Sequence, residues 1–293
     1  MLGPALPAEI ARTLVAGHLP GLVHVPRWAA PVPVRYVADA AGQPLMLVGY
    51  ASTAAEALWR AGNGSDVPVA VAVPDVPPGP TAPSLGRAWV SGWARPLTGT
   101  GARDAALEFA TVRPTGDLLG LGRGFVLYRV GVVAVRLEPP ANLQPCGATV
   151  EDGAALGDYE PAGRHGPADN HGAGNRDTVD VDPAEYAAAE PDPLHPIEGA
   201  LLAHLADHHR GELAALLHRL APGAGTCGAI VTPVRLDRYG VLVELTDPTA
   251  RNCVPPRRIR VDFPAPLHDP YGLVALLRPA HPPARGPARS EHR

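Results

Sequence analysis

The sequence contains no lysine, so all 25 of its basic residues are arginine. An arginine guanidinium keeps its proton in proteins and does not act as a nucleophile. Schiff-base enzymes, lysine-bound pyridoxal phosphate and Walker-type phosphate loops all require a lysine. The sequence therefore excludes these three kinds of site.

Cysteine is also scarce, with only Cys146, Cys227 and Cys253. Their number is odd, their spacing is wide and no CxxC pair occurs, which fits neither a disulfide framework nor a zinc knuckle. We expect ordinary reduced thiols. Hydrolase chemistry has no support either, because none of the five serines lies in a G-x-S-x-G turn.

Long apolar segments are absent, since no run approaches the ~20 residues of a membrane-spanning helix. The first residues, which include Glu9 and Arg12, lack the basic leader and apolar block of a secretory signal. The net charge is -4 and the arginines are scattered, so there is no basic stripe for a nucleic-acid backbone. We expect a cytoplasmic protein that neither crosses a membrane nor binds nucleic acid.

The 293 residues are 46% hydrophobic, enough for one large or two ordinary domains, and the 36 prolines and 32 glycines indicate long loops. Residues 1–150 contain short β-type segments separated by turns, which is typical of a barrel or sandwich. In Leu85–Arg95 the side chains alternate between an aromatic and a small apolar face: Arg87, Trp89, Ser91 and Trp93 against Ala88, Val90, Gly92 and Ala94.

The patterns predict the following N-terminal elements: helices Pro7–His18, Thr53–Ala61 (with Ser52 as N-cap) and Asp104–Ala110, and strands Pro33–Ala38, Pro44–Val48, Val67–Val73, Leu85–Arg95, Phe125–Tyr128 and Gly131–Glu138. The turn between the first two strands, residues 39–42, is typical of a hairpin. A bend is expected near Arg129–Gly131, between the last two strands.

Residues 151–180 are rich in Gly, Asp, Asn, His and Ala and poor in large apolar groups, so we expect a flexible linker. Residues 181–278 are expected to form an α+β domain, and residues 279–293 a disordered tail. The predicted elements of the domain are helices Asp182–Glu190, Pro196–Leu220 and Tyr271–Leu277, and strands Cys227–Leu236, Gly240–Leu245 and Arg257–Phe263.

The helix Pro196–Leu220 carries an apolar stripe of leucines that includes His209, so we expect His209 to be a hydrogen-bonded core histidine. His204 and His208 are four residues apart, a spacing that two zinc ligands would use. No HExxH pattern and no third ligand at a telling distance accompany them, so we predict no metal site.

Two sets of motifs carry a resemblance to a known family. The N-terminal order of hairpin, Ser52-Thr53 helix start, buried strand and tryptophan-containing strand resembles the pyridoxamine-phosphate-oxidase-like split β-barrel. The segments Asp192-Pro-Leu194, Glu198, His204-Leu-Ala-Asp-His208-His209 and Val261-Asp-Phe-Pro264 resemble the domain fused to such barrels in HugZ-type haem-utilisation proteins. Together they predict an α+β fold, with an FMN-binding-like split barrel at 1–150 and the HugZ-type domain at 181–278.

The resemblance implies a homodimer whose small-molecule ligand lies between the subunits, with flavin in one branch of the superfamily and haem in the other. In the flavin branch an arginine of the first hairpin and a serine followed by basic residues hold the phosphate. Arg35 and Ser52 match that pattern, whereas Thr53 and the two following alanines replace the basic residues. Strand-surface and N-cap roles for Arg35 and Ser52 are therefore open alternatives.

In the haem branch the iron ligand is a histidine near the C-terminus, and His281 and His268 are the candidates by position. The family pattern His-Met-Asn-x-Asp-His keeps His204 and His209 here but has Ala206 and His208 in place of Asn and Asp. We expect a haem-binding protein, with haem breakdown as the activity to test. A non-enzymatic regulatory module, as in plant glutamyl-tRNA-reductase-binding proteins, and a flavin- or deazaflavin-dependent oxidoreductase stay open as alternatives.

Overall fold

The part of the chain that the structure describes forms a closed six-stranded β-barrel, a separate three-stranded sheet and seven α-helices. The structure is a computed structural model that describes residues 5–63, 65–140, 178–222, 228–248 and 256–277. The α+β architecture predicted from the sequence is confirmed. The positions of the predicted linker up to 177, the tail, His281 and the three cysteines lie outside the described residues.

Six antiparallel strands form the barrel in the order β3-β2-β1-β4-β5-β6, and β3 pairs with β6 to close it. Their bounds are β1 (Gly21–His24), β2 (Val32–Ala38), β3 (Pro44–Gly49), β4 (Val67–Pro74), β5 (Arg87–Pro96) and β6 (Phe125–Glu138). The associated elements are α1 (Pro7–Val15), α2 (Thr53–Gly62), α3 (Gly99–Val112), β7 (Val179–Val181) and α4 (Pro183–Ala188). Closure pairs Gly49 with Phe125 and Leu45 with Arg129.

Strand β3 is buried on both faces, which explains why its sequence is apolar throughout. Met46 and Val48 belong to the main barrel core with Tyr36. Leu45 and Leu47 pack on the opposite face, in the cluster that contains Phe109 of α3. The barrel therefore depends on α3 to cover this side of the sheet.

The predicted alternation along β5 is confirmed, because its small residues are buried while Arg87, Trp89, Ser91 and Trp93 face outward. The prediction of two strands, Phe125–Tyr128 and Gly131–Glu138, is wrong, because β6 is one continuous strand with an irregularity after Val132. Ser91 pairs with Ala134 and Gly92 with Val132, so Val133 is the extra residue of a β-bulge.

Local turn chemistry explains several element boundaries. Asp39 Oδ1 accepts hydrogen bonds from the backbone N–H groups of Ala41 and Gln43, as the predicted hairpin turn requires. The hydroxyl of Ser52 accepts from the Ala55 N–H at 3.2 Å and caps α2 as predicted. Helix α1 stops at Val15 instead of His18 because Gly17 adopts φ 108°, outside the helical region.

Two strands were not predicted from the sequence. β1 has four residues, too few for a periodic pattern, yet it pairs with both β2 and β4. β7 pairs with β6 and takes in positions 179 and 180 of the predicted linker.

The C-terminal part consists of α5 (Glu198–His208), α6 (Arg210–Leu220), β8 (Ile230–Asp237), β9 (Gly240–Thr246), β10 (Arg257–Asp262) and α7 (Pro270–Leu277). The sheet order is β10-β9-β8, all antiparallel. The leucines of the three helices and the valines of the sheet share one hydrophobic core. No helix within the described ranges is long and apolar enough to cross a bilayer.

The prediction of one helix over Pro196–Leu220 is wrong, because the helix breaks at His209, whose φ and ψ are -129° and 27°. In a continuous helix the Ala206 carbonyl would accept from the backbone N–H of Arg210. Here the Arg210 Nε–H donates to that carbonyl instead. Gly211 follows and adds a low helix propensity. His209 is consequently displaced from the leucine stripe and its side chain is 34% exposed, so the predicted core role is wrong.

Replacing Tyr186 by Phe tests how α4 is held against the barrel. Tyr186 is fully buried and its hydroxyl donates to the carbonyl of the buried Gly42 at 2.8 Å. We expect Tyr186→Phe to lower the free energy of unfolding by about 1 to 3 kcal/mol, because a buried carbonyl loses its partner. Urea unfolding measures this change. The control Tyr271→Phe, at a side chain that is 81% exposed, should have almost no effect; equal effects would contradict the assignment.

Candidate functional site

Three histidines of the predicted C-terminal motif come together at the break between α5 and α6. The Nε2 atoms of His204 and His209 lie 3.2 Å apart. Their ring centroids are 4.9 Å apart at an interplanar angle of 64°, and the His208 ring is 5.1 Å from that of His204. The break at His209 is what turns its imidazole toward His204, so the pair exists because the helix is interrupted.

The histidine pair borders a groove of about 270 Å³ between α5, α6 and α7. We call it the histidine groove; its walls are formed mainly by Leu201, Leu205, Tyr271, Leu273, Val274 and Leu277. Tyr271 and Val274 are 81% and 50% exposed, so the rim presents apolar surface to solvent. An apolar cleft with a few convergent polar groups is the usual form of a small-molecule site.

Glu212 lies one helical turn beyond His209 and faces its second ring nitrogen. The distance from His209 Nδ1 to Glu212 Oε1 is 3.8 Å, and Nδ1 is buried without a hydrogen-bond partner among the described residues. A carboxylate beside Nδ1 favours the tautomer that carries its proton there and leaves Nε2 as an electron-pair donor. Within the described ranges no group of three or more His, Cys, Asp or Glu side chains is arranged to hold a metal ion.

A second polar assembly joins the barrel to the C-terminal sheet, and we call it the junction cluster: Asp75, His195, Glu198 and Arg235. Arg235 donates to Asp75 Oδ2 at 2.7 Å and to Glu198 Oε1 at 3.1 Å. His195 Nε2 lies 3.7 Å from Asp75 Oδ1. All four side chains are at most 9% exposed. Breaking such a pair strands a charge in the interior, which is costly.

The junction cluster separates the pKa values of its acids. Burial alone would raise the pKa of Asp75, but His195, the Arg235 charge and the Leu85 N–H outweigh it and lower the value to about 2. Burial raises the pKa of Glu198, and Arg235 and the Leu236 N–H offset this only in part. Burial likewise raises the pKa of Asp192.

Asp192 and Glu198, which carried part of the family resemblance, have structural roles at the junction. Asp192 accepts from the backbone N–H groups of Leu194 and Arg238, both at 2.8 Å, and its own N–H donates to Thr13 Oγ1. Glu198 Oε1 accepts from the Leu236 N–H at 2.7 Å. Asp192 borders a cavity of about 190 Å³ between α1 and β8.

Sequence reasoning did not identify the junction cluster. The sequence feature that could have indicated it is Arg235, a charged residue inside the apolar strand β8. A buried arginine requires a buried partner for its charge. The partner Asp75 follows β4 and precedes a proline-rich loop, a position that carries no pattern by itself.

The predicted flavin-phosphate residues lie on the barrel surface with other partners. Arg35 forms an ion pair with Asp117, and its guanidinium lies 6.0 Å from the centroid of the Phe125 ring. The Ser52 hydroxyl is occupied as the N-cap of α2, and Thr53 is the exposed first residue of that helix. Three residues that could serve a phosphate are thus used for local structure.

Of the two histidines predicted by position, the structure describes His268. His268 is exposed in the loop between β10 and α7. His281 is outside the described residues. The motif with His204, His208 and His209 therefore indicated the histidine groove, whereas a position near the C-terminus did not.

Solved structures are similar to this chain at low sequence identity. A haem-binding protein from Mycobacterium smegmatis is 20% identical, with 94% of this chain and 96% of that chain covered and a TM-score of 0.60. A protein of unknown function from Agrobacterium tumefaciens is 13% identical over 94% and 95% of the two chains, with a TM-score of 0.37. An FAD- and haem-binding protein from M. smegmatis is 17% identical over 48% and 72%, with a TM-score of 0.30.

The likeness to the first of these proteins establishes the fold, and the other two are too distant to carry an argument. No protein-family model matches the chain, and no curated protein sequence matches it.

Replacing Asp75 by Asn tests the electrostatics of the junction cluster through pH. A carboxyl group whose pKa is about 2 in the folded protein, against an ordinary value of 3.8, stabilises the fold above pH 4 and loses that contribution as the pH falls toward 2. We expect Asp75→Asn to lower the free energy of unfolding by about 2 kcal/mol at pH 7, and the gap from wild type to narrow below pH 4.

Urea unfolding of wild type and Asp75→Asn between pH 2 and 7 measures the difference in their free energies of unfolding. Asp180→Asn is the control, since Asp180 is 80% exposed in its ion pair with Arg136 and should matter little at any pH. A gap for Asp75→Asn that is constant with pH would contradict the prediction.

Proposed function

We propose that this protein binds haem, as HugZ-type split-barrel proteins do, but in the histidine groove and with His209 as the residue that would hold the iron. The carrying observation is the pair of imidazoles bordering an apolar groove, with His209 Nε2 3.2 Å from His204 Nε2 and its Nδ1 facing Glu212. Imidazole nitrogen is a natural iron ligand, and the apolar faces of the macrocycle suit leucine and tyrosine walls. The donor set and the lining therefore fit haem.

The size of the groove limits how haem would be held. Its volume of about 270 Å³ lies just below the usual ~300–1,000 Å³ range of ligand pockets, so it would enclose only part of the macrocycle. Further contacts would come from another segment or a second subunit. His281, which lies outside the described residues, follows Leu277 of the groove wall by four positions in the sequence.

Three lines of support converge on this proposal. The sequence motifs resemble the HugZ-type proteins, the described fold is the barrel with a fused C-terminal part, and a protein of the same fold is a haem-binding protein. Bound haem would supply the iron and oxygen chemistry. The chain itself would position the macrocycle through His209 and the leucine walls and keep water from its buried face.

A homodimer is the second part of the proposal, and the outer face of β5 and β6 suits it. Trp93 and Val133 are 51% and 61% exposed there, next to the exposed Ala134. Three ion pairs border this face and give it a rim of mixed charge: Arg95 with Asp66, Arg87 with Glu138 and Arg136 with Asp180. An apolar centre with a mixed-charge rim is the anatomy of a self-complementary interface.

A flavin or deazaflavin role fits the described residues less well. A phosphate needs several converging donors, whereas Arg35 is paired with Asp117 and the Ser52 hydroxyl already accepts from Ala55. A flavin absorption spectrum of the purified protein would favour this alternative.

The haem proposal is tested by absorption titration of the purified protein. We expect one haem per subunit with a sharpened Soret band, and His209→Ala should abolish that band or shift it while leaving thermal unfolding unchanged. His218→Ala, on the adjoining helix α6, is the matched control. An unperturbed spectrum at stoichiometric haem would refute the proposal. A band lost in His281→Ala or His268→Ala, and kept in His209→Ala, would refute the assigned ligand.

Turnover separates an enzyme from a binding module. Loss of the Soret band on addition of reductant and oxygen would indicate haem breakdown, and a band that persists would favour the non-enzymatic alternative.

The homodimer is tested by sedimentation equilibrium at micromolar concentration. We expect wild type to sediment as a dimer, and Trp93→Asp with Val133→Asp to dissociate it, because two charges would be buried in the apolar centre. The control Trp59→Asp changes a tryptophan that is 62% exposed on α2 and should leave the dimer intact. A monomeric wild-type protein would contradict the dimer.

A further inference from the structure

We propose that His204 and His209 together chelate a divalent late transition-metal ion such as Cu²⁺, Ni²⁺ or Zn²⁺, because the fold holds their Nε2 atoms 3.2 Å apart at the edge of a solvent-accessible groove. The two proposals share His209 but differ in what they require. Haem would need one axial imidazole, whereas chelation needs both histidines equally.

The distance between the two nitrogens matches the bite of a chelated ion. Imidazole nitrogens bind Zn²⁺ at about 2.0–2.1 Å, and two such bonds that span 3.2 Å enclose an angle of about 100–105° at the metal. This angle lies between the 90° of square or octahedral sites and the tetrahedral 109°. In the free protein the same two atoms share one proton in a hydrogen bond, and the ion would replace that proton.

The backbone fixes the pair before any ion binds. His204 lies on α5, and His209 is the junction residue of α5 and α6, where the Arg210 side chain occupies the Ala206 carbonyl. A helix continuing through 209 would carry these two residues, five positions apart, on different faces. Since the break already exists, little reorganisation is needed for binding.

Glu212 completes the arrangement as a positioning residue. Its carboxylate is 3.8 Å from His209 Nδ1 and, in the tautomer that it favours, leaves Nε2 free to ligate. Its negative charge also favours a nearby cation. A carboxylate that orients a ligating histidine is a regular feature of metal sites in proteins.

The site would be open, with two protein ligands and the remaining positions held by water or by a molecule in the groove. No third ligand is in place among the residues that the structure describes. Imidazole suits Cu²⁺, Ni²⁺ and Zn²⁺, and by the Irving–Williams order Cu²⁺ binds most tightly. Affinity for the hard cations Mg²⁺ and Ca²⁺, which prefer oxygen ligands, should be negligible.

The test is a Cu²⁺ titration of the haem-free full-length protein, followed by electron paramagnetic resonance. We expect one equivalent whose spectrum shows nitrogen hyperfine splitting from two imidazoles. His204→Ala and His209→Ala should each remove it, with affinity falling more than about tenfold, and Glu212→Gln should weaken it by about tenfold. Zn²⁺ calorimetry on the same proteins gives a second measure of the affinity.

The controls deal with other metal-binding groups and with folding. The chain has further histidines and three cysteines, so the result is the difference between wild type and each variant. His218→Ala on α6 should bind as wild type does. Near-ultraviolet circular dichroism verifies the fold, and His209→Gln provides a second variant.

Identical binding by wild type, His204→Ala and His209→Ala would overturn the inference. Dependence on His209 alone would also overturn it, since a single-ligand contact is not chelation. Because the readout contains no haem, a failed haem titration leaves this result untouched, and the reverse also holds.

Discussion

The buried guanidinium of Arg235 is the constraint on which the arrangement of the molecule depends. It bonds Asp75 at the end of a barrel strand and Glu198 at the start of α5, and all three side chains are shielded from water. A charge in such a place is tolerated only while each partner stays in position. The barrel, β8 and α5 are thereby fixed relative to one another by one side chain.

The position of the histidine groove follows from this anchor. Glu198 is the first residue of α5 and is held both by Arg235 and by the Leu236 N–H, so the start of the helix is fixed in place and in rotation. His204 and His209 lie six and eleven residues farther on, near the other end of the same helix. Strand β8 and α5 therefore act as a rigid support, as a ligand site requires.

The barrel could be predicted from the sequence because its signals are local. Alternation in β5, the Asp39 turn and the Ser52 cap each specify a few residues without reference to the rest of the chain. The histidine pair could not, because it depends on where the helix breaks: the Arg210 side chain bonds the Ala206 carbonyl there, and Gly211 adds a low helix propensity. The junction cluster could not be predicted either, because Glu198 and Asp75 lie about 40 and 160 residues from Arg235 in the sequence.

The long-range contacts of α1 also determine the order in which parts of the chain can complete their folding during synthesis. Barrel closure needs only residues up to β6, so the barrel can form before the C-terminal sheet has been made. Thr13 and Glu9 of α1, however, find their partners at Asp192 and Tyr239. The first helix of the chain therefore reaches its final contacts only after β8 has emerged from the ribosome. Until then Glu9 and Thr13 of α1 stay in contact with water. A chain that ends after β6 would therefore form the barrel without these contacts of its first helix.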